Sequence, residues 1–133
     1  MSSTCRSLGG AVAFLILSAP AIAHHSFAAE FDINKPITLT GTVTAVEWMN
    51  PHVWFYIDVK DENGKVTNWA FELGSPNMLM RTGWNRNSLQ LGEGITVEGF
   101  RARNGLQMGN AIAVVLTRTG QRLFTASSQG TAR

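Results

Sequence analysis

Between Ile37 and Thr117, apolar and polar residues alternate in short runs separated by turn residues. In Thr38–Trp48, Leu39, Gly41, Val43 and Ala45 share one face, and the apolar phase then passes to Val46 and Trp48. A period of two that slips by one residue predicts a long strand with a bulge or strong bend, and Gly41 helps such a strand coil. Asn50-Pro51 signals a turn. Val53, Phe55, Ile57 and Val59 then alternate with Trp54, Tyr56, Asp58 and Lys60, as in a half-buried second strand. Asp61-Glu62-Asn63-Gly64 predicts a hairpin, since Asn-Gly accepts the positive φ of tight turns. Val66–Leu73 returns as a third strand, with Trp69, Phe71 and Leu73 on one face.

The period then changes. Ser75 before Pro76 reads as an N-cap followed by proline at the first helical position, and Gly83 stops the helix that Asn77–Arg81 would form. Ile95–Arg103 and Asn110–Thr117 supply a fourth and a fifth strand around an Asn104-Gly105 turn, and a short Arg122–Phe124 piece follows Gly120. Residues 24–36 carry neither period and read as a lead-in arm, while residues 126–133 are small, polar and expected to be disordered. The order βββαββ over residues 37–125 predicts an all-β fold, a small five-stranded OB-like barrel. An open sandwich of the same strands is the alternative.

Residues 1–23 read as a signal peptide. Arg6 gives the positive start, Leu8–Leu17 the apolar run, and Pro20 precedes the small-residue site Ala21-Ile22-Ala23, which places cleavage after Ala23. The run is shorter than the roughly 20 residues a membrane-crossing helix needs. The product would be periplasmic, with no stable membrane anchor after processing. Cleavage would leave 110 residues, enough for one domain. Arg6 leaves with the segment, so eleven basic residues become ten against nine acidic ones, a net charge of +1. Nucleic-acid binders favour a basic stripe, and the balance led to the expectation of no nucleic acid among the partners. The single cysteine, Cys5, lies within the signal segment, so the mature chain carries no disulfide.

Catalytic motifs are absent: there is no G-x-S-x-G, no H-E-x-x-H, no phosphate loop and no cysteine nucleophile after residue 23. The chain is expected not to be an enzyme. Its histidines are more pointed. Cleavage after Ala23 makes His24 the first residue, and its α-amine and imidazole then chelate one metal ion. His25 and His52 supply further imidazoles, a ligand type suited to copper, nickel and zinc. Copper is favoured, with Trp48, Met49 and Asn50 beside His52 as supplementary contacts. The competing reading makes the histidine pair a soluble, processing-friendly start. Trp54 and Tyr56 fall on the outward phase of the second strand, where OB folds bind ligands, and would alternatively hold an envelope partner protein or glycan. The opposing reading has these rings covered by a chain terminus.

The segments Ala23-His24-His25-Ser26-Phe27-Ala28, Trp48-Met49-Asn50-Pro51-His52-Val53-Trp54 and Asn68-Trp69-Ala70-Phe71-Glu72 resemble a family of small exported proteobacterial proteins of unknown function. Similarity continues through Ser75-Pro76-Asn77, Gly83-Trp84, Gly92-Glu93-Gly94 and Val97-Glu98-Gly99. The resemblance implies export and a shared β domain, supplies no activity, and places His24, His25, Asn50, Pro51, His52 and Trp54 within family-like motifs.

Overall fold

The computed structural model describes residues 27–125. The signal segment, its cleavage site, His24, His25 and the tail at 126–133 lie outside the described residues. A short helix α1 (Phe27–Glu30) leads directly into β1 (Phe31–Glu47), followed by β2 (Trp54–Lys60), β3 (Val66–Glu72), α2 (Pro76–Arg81), β4 (Gly94–Ala102), β5 (Met108–Leu116) and β6 (Arg122–Phe124). The order βββαββ is present, with two differences from the sequence reading. The strand β1 begins at Phe31 rather than near Ile37, so much of the supposed arm is ordered: Phe31 and Asp32 pair with Ala102 and Arg101, across an irregularity between Asp32 and Pro36 that breaks the alternation. The piece at Arg122–Phe124 is a sixth strand, paired antiparallel with Ala113–Val115.

Pairing runs β3-β2-β1-β4-β5-β6, and β3 also pairs with β5. Neighbours are antiparallel except β3 and β5, which run parallel through Ala70↔Met108, Phe71↔Gly109 and Glu72↔Asn110. The pairings β1-β2-β3-β5-β4-β1 thus form a closed circuit, and the fold is β-rich and OB-like. Closing the circuit leaves few unpaired strand edges.

The bulge inferred from the phase slip lies between Val43 and Ala45 in the pairing of β1 with β2. It lets Val43 and Val46 both face the core. Gly41 sits where the strands approach closely: a Cβ there would lie 2.5 Å from the Asp58 carbonyl oxygen. Inside, Phe55 and Phe71 stack at 5.5 Å between ring centroids, and Ile57, Leu73, Leu79, Ile95, Val97 and Val114 are fully buried around them. Each such side chain contributes about 1.5–3 kcal/mol relative to exposure. As predicted, Ser75 caps α2, its hydroxyl accepting from the Met78 N–H at 3.4 Å, with Pro76 in the first turn. The helix buries Leu79 and leaves Met80 exposed.

Candidate ligand-binding site

Strand alternation turns Asn68, Ala70 and Glu72 of β3 outward, opposite to Trp69 and Phe71. Glu72 is nevertheless only 2% exposed. A buried carboxylate is costly unless it is paired and hydrogen-bonded. Its partner here is His52, whose Nδ1 lies 2.9 Å from Glu72 Oε1. The backbone explains the meeting. Val53 donates to the Gly74 carbonyl at 3.1 Å and Leu73 donates to the Val53 carbonyl at 2.8 Å, which prolongs the β2–β3 pairing past Trp54↔Glu72. His52 is thereby held at the end of this ladder, with its side chain 34% exposed. A neutral imidazole that donates from Nδ1 to a carboxylate keeps Nε2 as its lone-pair nitrogen.

Two rows cross the outer face beside this pair. Trp54 pairs with Glu72, which pairs with Asn110; in the next row Tyr56 pairs with Ala70, which pairs with Met108. Ala70 is the small member of the second row. A groove of about 370 Å³ is lined by Ala29, Glu30, Trp54, Asn104 and Met108. α1 therefore forms one wall. It is fixed by Phe27, whose ring lies 5.4 Å from Phe31 and 6.1 Å from Phe100, and by Arg103, whose Nε donates to the Ala28 carbonyl at 2.8 Å. The Arg103 backbone N–H donates to Glu30 at 2.8 Å. Arg103 is thus a clamp on α1, and Arg101 lies 5.2 Å over the Trp69 ring.

The other residues singled out from the sequence divide. Trp54 and Tyr56 face outward on β2 and are half-buried. Burial, then the charge and hydrogen bond of Glu47, push the Tyr56 hydroxyl above its ordinary value of 10.0. Trp48, expected to shield a ligand, packs against the core instead. Its carbonyl accepts from Arg86 at 3.5 Å. Met49 is 55% exposed on the following loop, and Asn50 is exposed beside it. Glu72 and Met108 escaped the sequence reading. Alternation marks Glu72 as outward, but no local pattern says that an outward residue will be covered. Met108 lies on β5, which begins two residues before the Asn110 start that the sequence pattern indicates. Among the described residues, no group of three or more His, Cys, Asp or Glu side chains gathers as a metal site.

A second hollow, about 610 Å³, lies elsewhere, between the segment following α2 and the β5–β6 turn. Part of its polar lining is spent on local turns: Asn85 Oδ1 accepts from the Asn87 N–H at 2.8 Å, and Glu93 Oε2 from the Gln90 N–H at 3.3 Å.

These features define a small β-rich protein of OB-like fold, with a histidine–carboxylate pair at one strand end and an aromatic outer face. The chain belongs to DUF6152, a family of unknown function, whose model matches residues 13–111. No curated protein matches it. Among solved structures it is similar to the dimeric N-terminal domain of the PriB protein from Thermoanaerobacter tencongensis, with a TM-score of 0.44 and 19% identity over 63% of this chain and 97% of that one. One expectation drawn from the sequence is corrected. Nucleic acid was excluded as a partner on net charge together with expected export, and the exclusion is withdrawn. OB folds take oligonucleotides across the face of strands two and three, so a balanced charge is no ground for excluding them.

Proposed function

We propose that this chain is a periplasmic, non-catalytic binding protein that holds a transition-metal ion, copper foremost, through His24, His25 and His52. The curled sheet is read as a closed barrel that serves as a rigid mount. The observation that carries the proposal is the 2.9 Å contact between His52 Nδ1 and the buried Glu72 carboxylate. Metal-binding histidines commonly donate their second ring nitrogen to a carboxylate, which fixes the tautomer and aims the other nitrogen at the ion. Chain connectivity adds support. Only Ser26 separates His25 from α1, and α1 shares a groove with Trp54, two residues after His52. Two residues of chain span at most about 7 Å. With the signal removed, the His24 amine and imidazole complete a chelate that suits copper.

The test is a competition titration with Cu(II), on protein recovered from the periplasm with its terminus fixed by intact mass. It is run beside a chain carrying one extra Gly before His24 and beside His52→Ala. Tight binding that weakens in both variants supports the site. Weak binding, equal in all three, overturns it.

A second reading is favoured by Trp54 and Tyr56, which flank Ala70 on the outward face of β2 and β3. There the chain is an interaction module for an envelope partner protein or a glycan. Metal-independent retention on such a partner, abolished by Trp54→Ala, would support it.

A further inference from the structure

We infer that Asn104 is a self-modifying residue: the turn between β4 and β5 converts its amide to a carboxylate by cyclisation onto Gly105, whereas the fold protects the chain's other Asn-Gly pair, Asn63-Gly64. The reaction needs no ligand, so it stands apart from the binding reading above.

The chemistry is a balanced exchange. Hydroxide takes the proton of the Gly105 backbone nitrogen, which attacks Asn104 Cγ. A C–N bond forms, the bond from Cγ to the amide nitrogen breaks, and ammonia leaves with a proton taken back from water. The product is a cyclic succinimide, which water opens at either carbonyl to leave aspartate or isoaspartate. Nothing is oxidised or reduced. Glycine permits the closure because it has no Cβ to obstruct it.

Both pairs lie in exposed turns with glycine at positive φ, +79° at Gly105 and +81° at Gly64. The nucleophiles differ. Gly64 N–H donates to the Asp61 carbonyl at 2.9 Å, and that bond must be given up before the nitrogen attacks. The Gly105 N–H meets no acceptor among the described residues. The electrophiles differ too. Asn104 Oδ1 accepts from the Leu106 N–H at 3.0 Å, an Asx turn that closes across the Gly105 peptide. The donor polarises the amide and stands where negative charge gathers on oxygen as nitrogen adds, as in an oxyanion hole. In the other turn Asp61, not Asn63, has this role: its Oδ1 accepts from the N–H groups of Asn63 and Lys65, each at 2.9 Å.

Charge acts in the same direction. Asp61 and Glu62 precede Asn63, with Lys65 beyond it. Arg101 reaches the Gly105 carbonyl at 3.5 Å, and Arg103, itself 3.6 Å from Asp32, adjoins Asn104. Cations favour the anionic nitrogen and carboxylates oppose it. The position of Asn104 gives the change a consequence. It lines the groove that contains Trp54, Met108 and Glu30, so conversion adds a second carboxylate to that lining.

The test incubates the full chain at neutral pH, with and without urea, and locates each conversion by peptide mapping with mass spectrometry. In the folded chain Asn104 is expected to convert faster than Asn63 by about tenfold or more, and the gap is expected to shrink in urea, where both turns are lost. Asn63 converting as fast as Asn104 in the fold, or a gap undiminished in urea, overturns the inference. Asn104→Gln, whose extra methylene disfavours the ring, is expected to stop the drift of folded protein toward acidic forms on ion exchange. An unchanged drift in Asn104→Gln overturns it as well. The mapping needs no variant, so the inference stays testable even if Asn104→Gln disturbs the turn.

Discussion

His52 and Glu72 are joined at the ends of β2 and β3 by a 2.9 Å contact between an imidazole nitrogen and a carboxylate oxygen, and the carboxylate side chain is only 3% exposed. A group so covered cannot be traded for an apolar one without loosening the ring it holds. Glu72→Gln keeps the shape and an acceptor for the Nδ1–H but removes the negative charge. If copper sits at His52 as proposed, its affinity is expected to fall about 10–100-fold, the usual consequence of losing a carboxylate behind a metal-binding histidine, with the far-ultraviolet circular dichroism unchanged. Equal affinity in Glu72→Gln and the parent would mean that the pair serves packing alone.

Gly99 tests the circuit itself. It lies at the irregularity between β4 and β5, pairing with Ala111, and a Cβ built on it would collide with the backbone carbonyl of Asn110. Backbone cannot rotate away, so Gly99→Ala is expected to destabilise by about 1–3 kcal/mol, as overpacking does. Gly94 is the comparison. There the nearest atom is the Thr117 hydroxyl oxygen, 2.6 Å from the added Cβ, and a side chain can turn. The cost of Gly94→Ala is then the Thr117–Gly94 hydrogen bond, about 1 kcal/mol. Urea unfolding of the two variants gives the ordering; a larger loss at Gly94 would refute it.

Much of the fold was legible because it depends on period. The alternation in Val53–Val59, the Asp61–Gly64 hairpin, the Ser75-Pro76 cap and the phase slip in β1 are local, and each is where the sequence puts it. The start of β1 was missed because the irregularity between Asp32 and Pro36 erases the period. The site was harder to read. His52 stood out by residue type, but its partner Glu72 looked like any outward strand carboxylate. What makes Glu72 special is the two-residue ladder extension at Val53 and Leu73 and the burial that results. Both are products of tertiary folding. Trp48 illustrates the opposite case: nearness in sequence to His52 suggested a shared site, whereas its half-buried ring packs against the core.

Glu98 and Arg122 form a two-pronged pair between β4 and β6, at 2.8 and 2.6 Å. The Arg122 hydrogen bond, opposed by desolvation and aided by its charge, holds the Glu98 carboxyl below its ordinary 4.5. A depressed carboxyl stabilises the fold above its unfolded value and loses that contribution as pH falls through the folded one. Arg122→Ala is expected to return Glu98 towards 4.5 and to make the hold on β6 less dependent on acid than in the parent. Carboxyl carbon shifts followed through a pH titration report the first effect directly. An unmoved Glu98 would mean that the pair is not formed in solution.

Tyr56 gives the cleanest probe of the outer face, because it is the only tyrosine in the chain. Its phenolate absorbance therefore reports one group. Burial disfavours the charged form first, and the Glu47 carboxylate then adds repulsion to the phenolate and a hydrogen bond to the neutral hydroxyl, so the group titrates above 10.0. Because the neutral form is the one favoured by folding, the associated stability is present below the unfolded value and is lost as pH rises through the folded one. Glu47→Gln removes the charge and leaves the burial. The midpoint at 295 nm is expected to move down while staying above 10.0, since desolvation is the larger cause. A partner or glycan seated on the β2–β3 face would bury the ring further and move the midpoint up, whereas copper held at His52, four residues along the chain, would leave it nearly unchanged. An unchanged midpoint in Glu47→Gln would place the Glu47 side chain away from Tyr56 in solution. An upward move on adding a glycan or partner, with none on adding copper, would favour the interaction module over the metal site.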